Sequence, residues 1–212
     1  MSTATPVWAP PPIWSVPREW PNARCFVICG GESVDAQRHL IPHLPSPVIA
    51  VKHAALLRPD AEVLFFAGER ADLIAPPLLK VYQGPRIVVR GRGHQVFPDS
   101  SKRVWRTVTH THWSTDPTMV AGYDAGTSAI NVAMLFGATE IVVLGYDMTG
   151  GRWFTGEVDH YLPQPPESDF QRHLVPLPAL AEDAETKGVR IVNVSPISRV
   201  TCFEKAPLEA FL

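Results

Sequence analysis

The sequence predicts an α/β fold built on a mostly parallel sheet. Three observations lead there. Short runs such as residues 25–29 (CFVIC) and 141–144 (IVVL) are apolar at every position, as strands buried on both faces are. These runs alternate with segments of helical composition along the chain. Several of them end in glycine, at Gly30-Gly31 and at Gly145, where a chain must turn sharply.

Taken in order, residues 1–22 form an arm rich in proline, with Trp8, Trp14 and Trp20 at six-residue intervals. Proline denies this arm a helix and favours an extended path. Its tryptophans are expected to pack on the domain surface or to form a homo-oligomer contact. Residues 23–212 make up the domain. RCFVICG is the first strand, and SVDAQRHL follows as a helix. SPVIAVKHA, AEVLFFAG and RIVVR are three more strands. Residues 91–117 show no period and read as a long loop or small insertion, a place where function often resides. GTSAINVAMLFGATEIVVLGYDM is the clearest unit. Thr127 or Ser128 would cap a helix whose Ile130, Ala133 and Met134 share a face, Gly137 would end it, and EIVVLG is a buried strand. GRWFTGEVDHYLPQPPESDF is irregular, and PLPALAEDAETKGVRIVNVSP closes as helix, glycine turn and strand.

Composition narrows the function classes. With 212 residues, 45% hydrophobic and 19% charged, the chain can bury the core of one globular domain. A net charge of −2 gives no electrostatic argument for a nucleic-acid or membrane-surface partner. No stretch is long and apolar enough to span a bilayer, and the first residues lack the basic start and apolar block of a signal peptide. Cys25 and Cys29 lie about 13 Å apart on a strand, too far for a disulfide. The expectation is a reduced, cytoplasmic protein.

Ligands of such folds bind outside the carboxyl ends of the strands. Gly30 and Gly31 stand at one such end and let backbone approach a ligand, with Ser33 as a cap and Glu32 beside the ligand. Gly145, Tyr146 and Asp147 stand at another, and Thr127 and Ser128 open the preceding helix. Together they outline one crevice. Lys52 ends the second strand and suits a phosphate. His110 and His112 would face one way on a strand, with Asp116 near, as a metal site would require; in a loop they are ordinary polar residues. RGRGHQ and SSKRVWR combine basic and aromatic residues suited to a phosphate-bearing acceptor.

At these residues the chain resembles a known family. CFVICGGESV resembles the first strand and glycine loop of the bacterial lipooligosaccharide sialyltransferases, which use a CMP-sugar donor. TSAINVAMLFGATEIVVLGYDM is similar to their second nucleotide-binding segment, and IVNVSPISRVTCFEKAPLEAFL to their last strand and tail. The same blocks occur in bacterial and phage proteins of the DUF115 and pterin-pyrophosphokinase-like type. The resemblance implies a single Rossmann-like domain that binds a nucleotide-sugar donor and passes the sugar to a glycan or another hydroxyl-bearing acceptor, in a bacterial or phage-infected cell. It implies that Gly30, Gly31, Glu32 and Ser33 border donor phosphate and ribose, that Thr127 and Ser128 contact the nucleotide, and that Gly145, Tyr146 and Asp147 meet base, ribose or sugar. The family often has asparagine where this chain has Lys52, and an acid near Gly68.

Glycosyl transfer needs a base for the acceptor hydroxyl and charge stabilisation for the leaving phosphate. The resembling proteins place a histidine after the Asp147 strand, a window that holds His160 and His173. Tyr161, Tyr146 or Arg152 would hold the leaving phosphate. This reading needs no obligatory cofactor and assigns no metal ligand. The alternatives are a phosphotransferase using ATP and Mg²⁺, with Asp147, Glu32 and Asp159 as metal candidates, and a non-catalytic interaction module.

Overall fold

The computed structural model describes residues 13–68, 71–91, 96–107, 109–154 and 165–212. The strands are β1 (Arg24–Ile28), β2 (Val48–Val51), β3 (Val63–Phe66), β4 (Ile87–Arg90), β5 (Lys102–Arg106), β6 (Met119–Val120), β7 (Glu140–Leu144), β8 (Arg190–Asn193) and β9 (Glu204–Lys205). They form one sheet in the order β6-β5-β4-β3-β2-β1-β7-β8-β9, and every pairing is parallel. The chain steps outward from β1 to β6, then returns to the free side of β1 with β7. The direction of travel therefore reverses between β1 and β7, where doubly wound sheets open a crevice.

Period-two alternation divides the core. Cys25, Val27, Ile49 and Phe65 face one side, under α3 (Ala125–Phe136), with its Ile130, Ala133 and Phe136. Phe26, Ile28, Val48 and Leu144 face the other, with Trp153 and Phe211. α2 (Ala71–Val81) covers Leu64 and Phe66 through Ala71, Ile74, Ala75 and Leu78. This stripe holds the helix despite Pro76 and Pro77 inside it, because burial of one continuous face outweighs the two lost hydrogen bonds. α4 (Glu167–Leu174) and α5 (Leu177–Thr186) lead into β8.

Three expectations are corrected. The segment 91–117 contains a strand, β5, whose charged and aromatic residues hid it. The helix after β1 is a single turn, α1 (Val34–Gln37). α3 is capped by Asp124, in extended backbone, which accepts from Thr127 N at 2.9 Å; neither Thr127 nor Ser128 is the cap. Gly137 ends α3 in the left-handed region, as expected.

The described part of the arm lies along its own domain. Trp14 N donates to Arg103 O and Trp20 N to Phe136 O, both at 2.8 Å. The Trp20 ring stacks on Phe136 at 4.0 Å. Trp8 lies outside the described residues.

Candidate active site at the switch point

The two glycine loops meet each other before they meet any ligand. Gly31 N donates to Gly145 O at 2.8 Å, and Gly31 forms an antiparallel bridge with Arg152. A Cβ on Gly31 would lie 2.4 Å from Asp147 Oδ2 and 2.6 Å from Gly145 O. Gly145 takes φ +63°, and a Cβ there would lie 2.4 Å from a Val34 methyl. The abrupt stop of the first apolar strand at glycine is thus explained by contact with the β7 loop.

A cavity of about 310 Å³ opens beside this junction. Its walls come from the ends of β1 (Gly30, Gly31), β2 (Lys52, His53) and β7 (Gly145, Tyr146, Asp147), and from the start of α3 (Asp124). Arg152 and Phe154 follow β7, and Phe170 and His173 come from one face of α4. Phe154 stacks on His53 with ring centres 3.9 Å apart.

The lining acids are already occupied. Asp147, 2% exposed, accepts from Ser33 N at 2.8 Å and from Ser33 Oγ at 2.5 Å. Asp124 accepts from Thr127 N, from Thr127 Oγ1 and, at 3.1 Å, from Tyr146 OH. Burial, aided by Asp124, pushes the Tyr146 phenol well above its ordinary pKa, so this hydroxyl stays protonated. Arg90, at the end of β4, donates to Gly122 O at 3.0 Å, Asp124 O at 3.2 Å and Ser128 Oγ, and so fixes the loop before α3.

Lys52 is different. Among the described residues it makes no hydrogen bond or ion pair, and it lines the cavity. Burial, then the nearby Arg90 and Arg152, lower its pKa to about 8 against the pull of Asp124. Its backbone is left-handed, φ +53°, as is that of Met148 at φ +57°, which lines the same cavity. Such conformations are costly for residues with a Cβ and concentrate at functional sites.

Of the residues expected here, Gly30, Gly31, Lys52, Gly145, Tyr146, Asp147 and His173 line the cavity. Four do not. Ser33 is buried and spent on Asp147. Thr127 and Ser128 are buried beneath the cavity floor, held by Asp124 and Tyr146 and by Arg90 and Ala121 O. Glu32 is exposed and turned to Thr149 and Gly151. Asp147 lines the wall, but both its oxygens face Ser33 rather than a ligand. His160, Tyr161 and Asp159 lie outside the described residues.

His110 and His112 are not on a strand. His110 stacks on Tyr123 at 3.8 Å, His112 Nδ1 meets Thr111 Oγ1, and Asp116 accepts from Thr118. Among the described residues no three His, Cys, Asp or Glu side chains converge as metal ligands. Of the Mg²⁺ candidates, Asp147 is committed to Ser33 and Glu32 is turned to Thr149 and Gly151, while Asp159 lies outside the described residues. Sequence reasoning missed Asp124, Phe154, Phe170 and Arg90. Only Asp124 carried a signal, an acid three residues before the threonine whose N–H it caps.

Known structures share this architecture. The MAf glycosyltransferase from Magnetospirillum magneticum AMB-1 matches with a TM-score of 0.64 and 11% identity over 94% of this chain. The chain spans 36% of that protein's length. A variant of the Campylobacter jejuni sialyltransferase CST-II, in complex with CMP, matches with a TM-score of 0.52 and 13% identity, over 86% of this chain and 85% of that one. Identities this low establish a common fold. No family model matches the chain, and no curated protein matches it by sequence. Among the described residues, no helix is long and apolar enough to cross a membrane.

Proposed function

We propose that the protein is a glycosyltransferase that binds a nucleotide-sugar donor in the switch-point cavity. The observation that carries this reading is a cationic Lys52 that has no acidic partner among the described residues, in a cavity whose described carboxylates, Asp124 and Asp147, are engaged by internal hydrogen bonds. Such a site favours an anionic oxygen. The glycosyltransferase fold neighbours and the resemblance in the glycine loop direct the choice to a sugar nucleotide, with the CMP class favoured because one neighbour is in complex with CMP.

In this reading Gly30, Gly31 and Gly145 supply close backbone walls for the donor. Lys52 and Arg152 face its phosphate. A base takes the proton of an acceptor hydroxyl, whose oxygen bonds to the anomeric carbon as the carbon–oxygen bond to phosphate breaks. The nucleotide departs with its new charge held by the two cations. His173 is the described candidate for the base; His160 is the second.

Thermal-shift measurements with millimolar CMP-, UDP- and GDP-sugars test donor binding, since a ligand well above its Kd raises the melting temperature. Failure of all three overturns the reading. If His173 is the base, His173→Ala keeps the nucleotide shift and lowers turnover about 10²–10⁴-fold. If His160→Ala does this and His173→Ala does not, the base is His160.

A further inference from the structure

Arg106 ends β5 on the same carboxyl-end side of the sheet as the cavity. It is exposed, and among the described residues it has no hydrogen bond or ion pair. Its guanidinium sits over the Tyr123 ring at 5.1 Å. Tyr123 also stacks against His110 at 3.8 Å and, at 6.4 Å, against His173, which lines the cavity. The Tyr123 backbone is held in turn by Arg90. One ring therefore lies against both the cation and the histidine. His110 Nδ1 is buried without a hydrogen-bond partner among the described residues.

We propose that Arg106 binds an anionic group on the acceptor and so delivers its hydroxyl to His173, with Tyr123 as the positioning residue for both. This rests on the transferase reading and names its acceptor class: a saccharide carrying a carboxylate or phosphate. A guanidinium presents a planar fork that matches either anion, and its place over an aromatic ring limits the freedom lost on binding. Among the described residues no acid pairs with it.

The test uses the full chain and a panel of di- and trisaccharides in matched neutral, uronate and 6-phosphate forms, titrated by NMR. The anionic forms are expected to bind roughly tenfold tighter or more than their neutral partners. Whichever of uronate and phosphate gains more identifies the anion. Arg106→Gln erases the preference, Arg106→Lys keeps part of it, Tyr123→Phe retains it and Tyr123→Leu weakens it. The nucleotide-induced melting shift of each variant reports whether the donor cavity is intact. Equal binding of neutral and anionic forms, or a preference that survives Arg106→Gln, overturns the proposal. A preference lost with Arg106 in a protein that binds no nucleotide overturns the donor reading instead.

Discussion

The two ends of one sheet carry similar charges and treat them in opposite ways. At the amino ends of the strands, Arg24 of β1, Glu140 of β7, Arg190 of β8 and Glu204 of β9 pair with one another in a continuous chain. Both arginines also lie over the Phe211 ring. At the carboxyl ends, Lys52 follows β2 and Arg106 ends β5, and no acid pairs with either among the described residues. The acids there, Asp124 and Asp147, are turned to hydroxyl and amide donors of the protein itself. The number of charges does not mark a ligand site. A cation whose neighbouring acids have been engaged elsewhere does, because its solvation must be replaced by something that arrives.

The sharpest way to break this contrast is at Gly31. Gly31→Ala pushes a methyl group into Asp147 and the Gly145 carbonyl. The loops must part, with an expected stability loss of about 1–3 kcal/mol and no nucleotide-induced melting shift. Calorimetry and thermal shift read both. A protein that keeps its nucleotide shift would show that the junction does not shape the cavity.

Next is Lys52. Lys52→Met keeps the stem and removes the charge, and nucleotide affinity is expected to fall about 10–100-fold. Its pH dependence has two opposite signs. The amine titrates at about 8 in the folded chain against 10.5 as its ordinary value. Between these values the unfolded state binds more protons, so the penalty on the free protein is full below pH 8 and is relieved as pH rises from 8 toward 10.5. Nucleotide affinity moves the other way and falls as pH rises through 8. Titration calorimetry from pH 7 to 9 should show this loss in the parent and a flattened profile in Lys52→Met. A parent profile that is flat would remove Lys52 from the site.

The smallest effect is at the paired end. Burial alone would raise the Glu140 pKa, but hydrogen bonds from Arg24 and Arg190 hold it below the usual value. Its contribution is present above the ordinary value of 4.5 and is lost as pH falls below it. Glu140→Gln should cost at most about 1 kcal/mol, because the pairs are partly solvated. Nucleotide affinity should not change; a change would mean that the two ends are coupled.

The strands of the centre were legible because β1, β2, β3 and β7 are buried on both faces, and unbroken apolar runs have few other readings. β5 was not, since KRVWR buries only Arg103 and Val104. α2 was hidden by its two prolines, which matter less than its buried stripe. In the site, position along a strand located Gly31, Lys52, Gly145 and Asp147. Direction was beyond reach: nothing in the residue types of Ser33, Thr127 and Ser128 tells that their hydroxyls face inward. For Ser33 and Ser128 that choice is made by Asp147 and Arg90, far away in sequence, and for Thr127 by Asp124 three residues before it together with the more distant Tyr146.

The most direct test of the central claim is a crystal soaked with CMP, UDP and GDP together. One nucleotide is expected in the cavity between the ends of β1 and β7, with a phosphate oxygen about 3 Å from Lys52 Nζ. A nucleotide bound elsewhere on the molecule, or in that cavity with its phosphate turned away from Lys52, would contradict it.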